Sequence, residues 1–353
     1  MSRPRVLVVG PGDLSAGGVR GVMVLLAGSS LSDRLDLIEV ATHRDGRIWG
    51  KLGAAAAGLG RVGYELARGR PRLVYVHTAS FGSFWRKAIA SAMASLARRP
   101  YIVHIHGGAF VSFYGGASPP VQAIVRRTLR RAAAVVALSP TWAREIRSIV
   151  DRTVVAIPNP VRVPAEVADP RRRPARIVTL ARLGEEKGSF VLVRAFARVL
   201  ERHPDARLVL AGDGPVDAIR REARRVGAGE SVDLPGWIDP AGRDALLAGA
   251  SIFVLPSQIE GLPLSLLEAM SFALPVVVTP VGGIPDVVTD GVNGRLVSVD
   301  REDELAQALG SLLDDPATAV RLGAAARRDV VASSSIDVVA RRVGDLIEEC
   351  LEP

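Results

Sequence analysis

Residues 252–270 read Ile-Phe-Val-Leu-Pro-Ser-Gln-Ile-Glu-Gly-Leu-Pro-Leu-Ser-Leu-Leu-Glu-Ala-Met, and this stretch decides the fold. Its first four residues form a short apolar run, which predicts a strand buried on both faces. Pro263 suits the first turn of a helix, and the apolar segment around it predicts that helix. A buried strand that leads into a helix is the repeating unit of α/β folds with a parallel sheet.

The same alternation extends in both directions along the chain. Strands are predicted at residues 5–10, 73–77, 101–106, 134–138 and 153–157, and again at 176–180, 207–211, 232–234, 252–255, 276–279 and 294–297. Helices are predicted between them, at 18–29, 50–68, 84–98, 119–132 and 140–149, then at 188–202, 215–226, 240–248, 263–272, 284–289, 302–313 and 316–331. The pattern predicts two doubly wound, Rossmann-like α/β domains that face each other across a cleft, where ligands meet the carboxyl ends of the strands.

A proline-rich segment separates the two series of strands. We predict an N-terminal domain over 1–160, a linker over 161–175, a second domain over 176–335, and a C-terminal helix over 336–353 that packs back on the first domain. The single cysteine, Cys350, excludes a disulfide framework. No stretch resembles a signal peptide or a membrane span, so a cytoplasmic protein is expected.

The charge of the chain is uneven. The net charge of +8 combines +15 over residues 1–165, with 23 Lys and Arg against 8 Asp and Glu, and −7 over residues 166–353. A basic half favours an anionic partner, which would be a membrane surface or a nucleic acid. No aromatic-interleaved RNA motif or zinc module supports the nucleic-acid alternative, so we predict no nucleic-acid partner.

Two carboxylates, Glu260 and Glu268, flank the start of the helix in the opening stretch. Glu268 lies in an otherwise apolar helical segment, where a carboxylate is costly unless it meets donors such as sugar or ribose hydroxyls. Free amides at the helix start can donate to hydroxyls or phosphate. Arg182 and Lys187 follow another strand, and fixed cations stabilise the charge that builds on a departing diphosphate.

These motifs together resemble family 4 of the retaining glycosyltransferases, which have the GT-B fold. The resemblance spans most of the chain and rests on ordered motifs: Gly17-Gly18-Val19, His104-Ile-His106-Gly-Gly108, residues 180–188 around Arg182 and Lys187, Gly212-Asp213-Gly214-Pro215, Leu234-Pro-Gly236-Trp237, the Glu260-x7-Glu268 pair and Gly282-Gly283-Ile-Pro-Asp286. Ala181 stands where the family usually has glycine.

The resemblance implies a nucleotide-sugar donor, UDP- or GDP-linked, with no cofactor and no metal. It implies that Glu268 accepts hydrogen bonds from the ribose, and that Arg182 and Lys187 hold the diphosphate. Glu260 would hold the donor sugar, which His106 would border. The remaining implied donor contacts are Gly17, Gly18, Gly212, Asp213, Gly236, Trp237 and the backbone of Gly261, Leu262 and Leu264.

Aromatic and basic residues of the first half predict an acceptor side of the site. They suit a sugar linked to pyrophosphate and lipid, and they are His77, Ser80, Arg86, Lys87, Phe110 and Tyr114. This segment also resembles exopolysaccharide and capsule members of the family. Paired arginines on the helix over 119–132 form a basic amphipathic face, which predicts contact with an anionic membrane surface. His104, by contrast, is predicted to be a packed strand residue on the same face as His106.

We therefore expect a retaining glycosyltransferase that moves a sugar from a nucleoside diphosphate to a glycan or lipid-linked acceptor in cell-surface polysaccharide synthesis, at the inner face of the membrane. Three alternatives stay open. The acceptor could be a soluble small molecule, the chain could be another GT-B enzyme such as a sugar phosphorylase or a sugar-nucleotide epimerase, or it could be a basic nucleic-acid-binding protein.

Overall fold

The computed structural model describes residues 3–12, 18–172 and 174–352. The chain divides into two compact units: unit 1 contains residues 1–160 and 334–353, and unit 2 contains residues 161–333. Each unit has its own parallel sheet and its own hydrophobic core.

Unit 1 is built on a parallel sheet that has six strands in the described ranges, in the order β2-β1-β3-β4-β5-β6. The central strands are apolar and buried on both faces, as parallel strands covered by helices must be. Its elements in chain order are β1 (Arg5–Gly10), α1 (Gly18–Ala27), α2 (Leu31–Arg34), β2 (Asp36–Ala41), α3 (Ile48–Ala67), β3 (Leu73–Thr78), α4 (Gly82–Leu96), β4 (Tyr101–Ile105), α5 (Phe110–Gly115), α6 (Pro119–Arg130), β5 (Ala134–Ala137), α7 (Pro140–Val150) and β6 (Val154–Ala156).

Unit 2 has a second parallel sheet, which within the described residues runs in the order β12-β11-β10-β7-β8-β9. The order reverses between β10 and β7, so ligands of such a sheet are expected outside the carboxyl ends of these two strands. Its elements are β7 (Arg176–Leu180), α8 (Ser189–Leu200), β8 (Arg207–Ala211), α9 (Val216–Arg225), β9 (Val232–Gly236), α10 (Pro240–Ala248), β10 (Ile252–Leu255), α11 (Leu264–Ser271), β11 (Val276–Val278), β12 (Arg295–Leu296), α12 (Glu302–Asp314) and α13 (Pro316–Ser334).

The predicted class, two doubly wound Rossmann-like α/β domains, is confirmed by these two sheets. Some local elements differ from the prediction, and helices α2 and α5 were among those not predicted. Strand β2 was not predicted, because its sequence Asp-Leu-Ile-Glu-Val-Ala carries two acids and pairs only with β1 at the edge of the sheet. The helix predicted over 284–289 is only the short 3₁₀ turn Ile284–Asp286, which directly follows Gly282 and Gly283.

The last helix, α14 (Ile336–Leu351), belongs to unit 1. It contacts α1 and α2, and its buried face includes Val339, Val343 and Ile347. The guanidinium of Arg34 on α2 lies 2.8 Å from the carboxylate of Asp345 and 2.7 Å from that of Glu348. Residues distant in sequence thus complete the first unit.

Helix length and composition bear on insertion into a bilayer. The longest described helix, α3, has 20 residues, but charged residues at 51, 61 and 65 interrupt it. Among the residues that the structure describes, no helix is both long enough and apolar enough to cross a membrane.

Candidate functional site

The loops after β7 and β10 meet, because these two strands are neighbours in the sheet of unit 2. Gly188 has φ +66°, and a Cβ built there would lie 2.2 Å from the carbonyl oxygen of Pro256. The amide of Gln258 donates to the carbonyl of Glu186 at 2.8 Å. Glycine at 188 therefore permits a close approach of two backbones, and this approach brings Lys187 to the loop that carries Glu260.

Lys187 and Glu260 form an ion pair at the centre of this contact. Lys187 Nζ lies 2.6 Å from Glu260 Oε1, and the hydroxyl of Ser257 donates to the same oxygen at 2.8 Å. The Glu260 side chain is nearly buried, whereas Lys187 keeps about a quarter of its side chain exposed. The pair is preorganised, and its ammonium group stays accessible to an anion.

Arg182 lies in the same loop, between the end of β7 and Lys187. It is exposed, and it makes no ion pair with another residue of the described ranges. The structure thus brings one paired and one solvated cation to the carboxyl end of the sheet. Two such cations can hold a diphosphate, in which charge increases as a bond to it breaks.

Helix α11 begins at Leu264, one residue after Pro263. Its first amides have no partner within the helix. Leu262 is buried and Leu264 is half-buried, which anchors the start of the helix in unit 2. The amide of Gly283 donates to the carbonyl of Gly261 at 2.6 Å, so the following turn fixes the loop before the helix. The helix start is therefore a rigid set of hydrogen-bond donors beside Glu260.

Glu268 lies on α11 with its carboxylate half-buried beside Arg243 of α10. Arg243 Nη1 lies 2.6 Å from Glu268 Oε1, and the same guanidinium also binds the carboxylate of Asp244 at 2.7 Å. Burial raises the pKa of Glu268, while the charge of Arg243 acts in the opposite direction. Sequence reasoning did not identify Arg243, because one arginine on a surface helix of an arginine-rich chain carries no distinguishing pattern.

The predicted base pocket lies at the ends of β8 and β9. Gly212 has φ +144°, and a Cβ there would lie 1.7 Å from the carbonyl oxygen of Ala181, so only glycine fits. Its amide donates to the carbonyl of Gly236 at 2.8 Å, and the carbonyl of Asp213 accepts from Leu183. Trp237 is largely exposed. Gly212, Asp213, Gly236 and Trp237 therefore lie together, next to the loop that carries Arg182.

The first glycine turn belongs to unit 1. Gly17 lies outside the described residues, and Gly18 is the exposed first residue of α1. Their predicted role at the donor stays a prediction.

Three histidines of unit 1 gather at the carboxyl ends of β3 and β4. His77 Nδ1 lies 2.9 Å from His106 Nε2, and the hydroxyl of Tyr75 lies 2.9 Å from His104 Nδ1. His104 is buried and shares a face with His106, at 4.1 Å between ring centroids, which confirms its prediction as a packed strand residue. Burial lowers the pKa of His106 to about 4, although a hydrogen bond with Asn159 acts in the opposite direction. His106 is thus a neutral imidazole near neutral pH.

The same histidines form a group that could hold a metal ion, since their ligand nitrogens lie within 4.8 Å of one another. Three neutral imidazoles are a donor set that zinc accepts. In this structure, however, His77 Nδ1 is engaged by His106 Nε2 and His104 Nδ1 by the hydroxyl of Tyr75, and the nearby charge of Lys87, which contributes to the lowered pKa of His77, opposes a cation. That no metal is needed stays a prediction.

The predicted acceptor residues separate into two sets, one at β3 and α4 and the other, Phe110 and Tyr114, on α5. His77, Ser80, Arg86 and Lys87 lie near one another at the end of β3 and the first turns of α4. Phe110 does not join them: it is fully buried and packs against Phe84 and Phe113 in the core of unit 1. The hydroxyl of Tyr114 accepts a hydrogen bond from Arg126 at 2.6 Å. Phe110 therefore stabilises the fold rather than lining a binding surface.

Two family models match the chain. Residues 12–160 match the model described as Glycosyl transferase 4-like domain, and residues 166–329 match the model described as Glycosyl transferases group 1. The first match falls in unit 1 and the second in unit 2.

Two curated proteins are similar to parts of the chain. One is the GDP-mannose-dependent alpha-(1-6)-phosphatidylinositol monomannoside mannosyltransferase of Mycolicibacterium smegmatis, 35% identical over 159 residues, which are 43% of this chain and 42% of that protein. Another is the alpha-maltose-1-phosphate synthase of Mycobacterium tuberculosis, 34% identical over 226 residues, 59% of this chain and 57% of that protein. The chain spans about half the length of these curated relatives.

A solved structure similar to the chain is HepE of Anabaena in complex with UDP-glucose. The TM-score is 0.78 at 18% identity, with 98% of this chain and 99% of that chain covered. At this identity the likeness shows the fold alone, and the predicted GT-B class is confirmed by it.

Proposed function

We propose that the protein is a retaining glycosyltransferase. It transfers a sugar from a nucleoside diphosphate to a hydroxyl of a glycan or lipid-linked acceptor in cell-surface polysaccharide synthesis. The matches to a glycosyl transferase 4-like domain and to glycosyl transferases group 1 support this proposal. The observation that carries the proposal is the arrangement at the carboxyl edge of unit 2. There, Arg182 and the Lys187–Glu260 pair lie beside the free amides of α11.

In the proposed mechanism, Arg182 and Lys187 hold the donor diphosphate and stabilise the charge that grows on it as the bond to the anomeric carbon breaks. Glu260, fixed by Lys187 and Ser257, accepts hydrogen bonds from the donor sugar. Glu268 accepts hydrogen bonds from the ribose, and the charge of Arg243 opposes the rise that burial produces in the pKa of this carboxyl group. These groups position the donor without forming a bond to it.

Retention requires that the new bond forms on the face from which the diphosphate departs. Both site carboxylates of unit 2 are engaged by cations, which makes them poor nucleophiles. We therefore propose a same-face reaction. The acceptor oxygen bonds to the anomeric carbon, the bond to the diphosphate breaks, and the acceptor proton passes to an oxygen of the departing diphosphate.

The donor and the stereochemistry are tested together. We expect one of UDP, GDP and ADP, or its sugar conjugate, to raise Tm, because a ligand at 100 times its Kd stabilises the folded state by about 2.7 kcal/mol. With that donor, NMR of the first product should show the anomeric configuration of the donor. A clean inversion contradicts the retaining mechanism, and no stabilisation by any nucleotide contradicts the donor site.

The acceptor class is open between a lipid-linked glycan and a soluble molecule. The name of the Mycolicibacterium smegmatis relative includes a phosphatidylinositol monomannoside, and the name of the Mycobacterium tuberculosis relative includes a sugar phosphate, maltose-1-phosphate. An exposed apolar surface of unit 1 favours the lipid-linked alternative. At the start of α3, Ile48, Trp49 and Leu52 are 62%, 80% and 52% exposed, and the basic residues Arg44, Arg47 and Lys51 interleave with them.

This α3 surface, defined as residues 44, 47–49, 51 and 52, supports membrane contact better than the arginines of α6. Two apolar residues of α6, Val125 and Leu129, are fully buried in unit 1, and only Ile124 among its large apolar side chains is exposed, at 42%. Arg126 is bound to Tyr114, and Arg130 donates to the carbonyl of Val150. Apolar side chains that enter the interface contribute roughly 1.5–3 kcal/mol each when fully buried, and each nearby cation adds about 1 kcal/mol on an anionic leaflet.

We expect the double variant Trp49→Ser, Leu52→Ser to bind vesicles rich in phosphatidylglycerol at least tenfold more weakly than the wild type, as measured by co-sedimentation. Leu96→Ser is the matched control, because Leu96 is 85% exposed at the other end of an adjacent helix. Wild-type binding by the double variant, or equal losses in the double variant and the control, would exclude the α3 surface.

A further inference from the structure

A cavity of about 230 Å³ opens in unit 1 beside the first two turns of α4. Basic side chains predominate in its lining: Arg20, His43, His77, Arg86 and Lys87, with Asp45 as the one carboxylate among the described lining residues. Two of these side chains leave no charge to be balanced. Arg20 pairs with Glu39, and burial lowers the pKa of His43, whose imidazole is therefore neutral near neutral pH. The charges that need explanation are those of Arg86 and Lys87.

Lys87 is the most unusual of these groups. Lys87 is 3% exposed, and its ammonium group makes no hydrogen bond and no ion pair with the residues that the structure describes. Burial and the neighbouring charge of Arg86 lower the pKa of Lys87 to about 7. A buried ammonium group without a counter-charge is strongly unfavourable, so a lysine at this position indicates a ligand that supplies the charge.

Arg86 points to the same conclusion from a different atom. Its Nε is buried and has no hydrogen-bond partner among the described residues, and burial lowers its pKa. Adjacent cations on one helix repel each other, and both line the same cavity. The start of α4 adds the positive end of a helix of 15 residues. Lysine ammonium and arginine guanidinium donors are the groups with which proteins bind phosphate.

We propose that this cavity binds a phosphate ester carried by the acceptor. The assignment to the acceptor rests on the proposed transferase function, in which the donor diphosphate has its own cations, Arg182 and Lys187, in unit 2. The phosphate would accept hydrogen bonds from Lys87 and from the unpartnered Nε of Arg86. Its two negative charges would balance the two uncompensated cations.

The binding experiment uses the full chain and methyl phosphate as the probe, followed by isothermal titration calorimetry. The wild type is expected to bind methyl phosphate saturably, and Lys87→Met and Arg86→Gln each to weaken binding at least tenfold. Lys51→Met, which removes a lysine of α3 that does not line the cavity, is the matched control and is expected to bind as the wild type. Absence of saturable binding, or wild-type affinity in Lys87→Met, overturns the proposal.

Folding and ligand source are controlled in the same series. Lys87→Met removes a buried charge at nearly constant volume, and an unchanged circular dichroism spectrum with a cooperative thermal transition shows that the variant is folded. Displacement of methyl phosphate by glucose 1-phosphate supports a soluble sugar phosphate, and displacement by geranyl phosphate supports a lipid phosphate. Displacement by neither, or competitive displacement by UDP or GDP, overturns the assignment to the acceptor.

The two proposals fail in different ways. If methyl phosphate binds through Lys87 but no sugar is transferred, the anion site stands and the transferase function fails. If sugar is transferred and methyl phosphate does not bind, the transferase function stands and this inference fails.

Discussion

Replacing Lys187 by methionine is expected to lower kcat by a factor of about 10² to 10³, the usual loss when one preorganised donor to a developing negative charge is removed. The reason is geometric. Lys187 Nζ is fixed 2.6 Å from Glu260 Oε1, at the meeting point of two loops. Its charge is therefore in place before the reaction and needs no reorganisation. Steady-state kinetics with the donor found by thermal shift measures the loss.

The controls separate chemistry from folding and from general loss of charge. Lys51→Met, assayed on a soluble acceptor, should keep wild-type kcat, because Lys51 lies on α3 of unit 1. Glu260→Gln should also reduce kcat, and the double variant should lose less than the product of the two single losses, since contacting residues are coupled. A Lys187→Met enzyme within several-fold of wild type would refute the role of this lysine.

Glu268→Ala should weaken nucleotide binding by about 10- to 100-fold, in line with about 1.5–3 kcal/mol for hydrogen bonds to a charged group. The carboxylate is held by Arg243 at 2.6 Å through Oε1, which leaves its second oxygen for the proposed contact with the ribose hydroxyls. Calorimetric titration with the preferred nucleotide measures the effect. Glu201→Ala, an exposed glutamate after α8, is the control. Equal affinity in Glu268→Ala and wild type would remove Glu268 from the donor site.

Arg243→Met probes the same carboxylate through its pKa. Burial raises the pKa of Glu268 and Arg243 opposes that rise, so removing the arginine should raise the pKa further. Because the ionised form accepts the ribose hydrogen bonds, nucleotide affinity is lost as pH falls through this pKa. The variant should therefore lose affinity at a higher pH than the wild type. Superimposable pH profiles would show that Arg243 does not control the ionisation of Glu268.

The fold was predictable where the sequence separates strands from helices clearly. Continuous apolar runs such as Ile252–Leu255 correspond to strands buried on both faces. Strand β2 escaped this criterion, because an edge strand with Asp36 and Glu39 is half-exposed and has no continuous apolar run. A criterion built on burial finds the centre of a parallel sheet more readily than its edge.

The site was predictable to the extent that its residues belong to one local motif. The spacing of Glu260 and Glu268 around a helix start made both residues recognisable in the sequence. Lys187 was recognisable from the glycine that follows it. Arg243 was missed because its partner lies 25 positions away on another helix. The anion cavity was predicted in part, since His77, Arg86 and Lys87 belong to one local segment and were placed on the acceptor side. Arg20 and His43 join them only through the register of the sheet and the packing of α1, which no local spacing reveals.

The return of α14 to unit 1 has a consequence for biosynthesis. Unit 2 is one continuous segment, residues 161–333, whereas unit 1 needs residues 334–353 to be complete. During translation, the second unit in the sequence is therefore the first whose residues have all been made. Until the residues of α14 have been made, the surfaces of α1 and α2 that this helix contacts stay uncovered. A chain that lacks α14 thus exposes an apolar surface on unit 1, where a chaperone is expected to act.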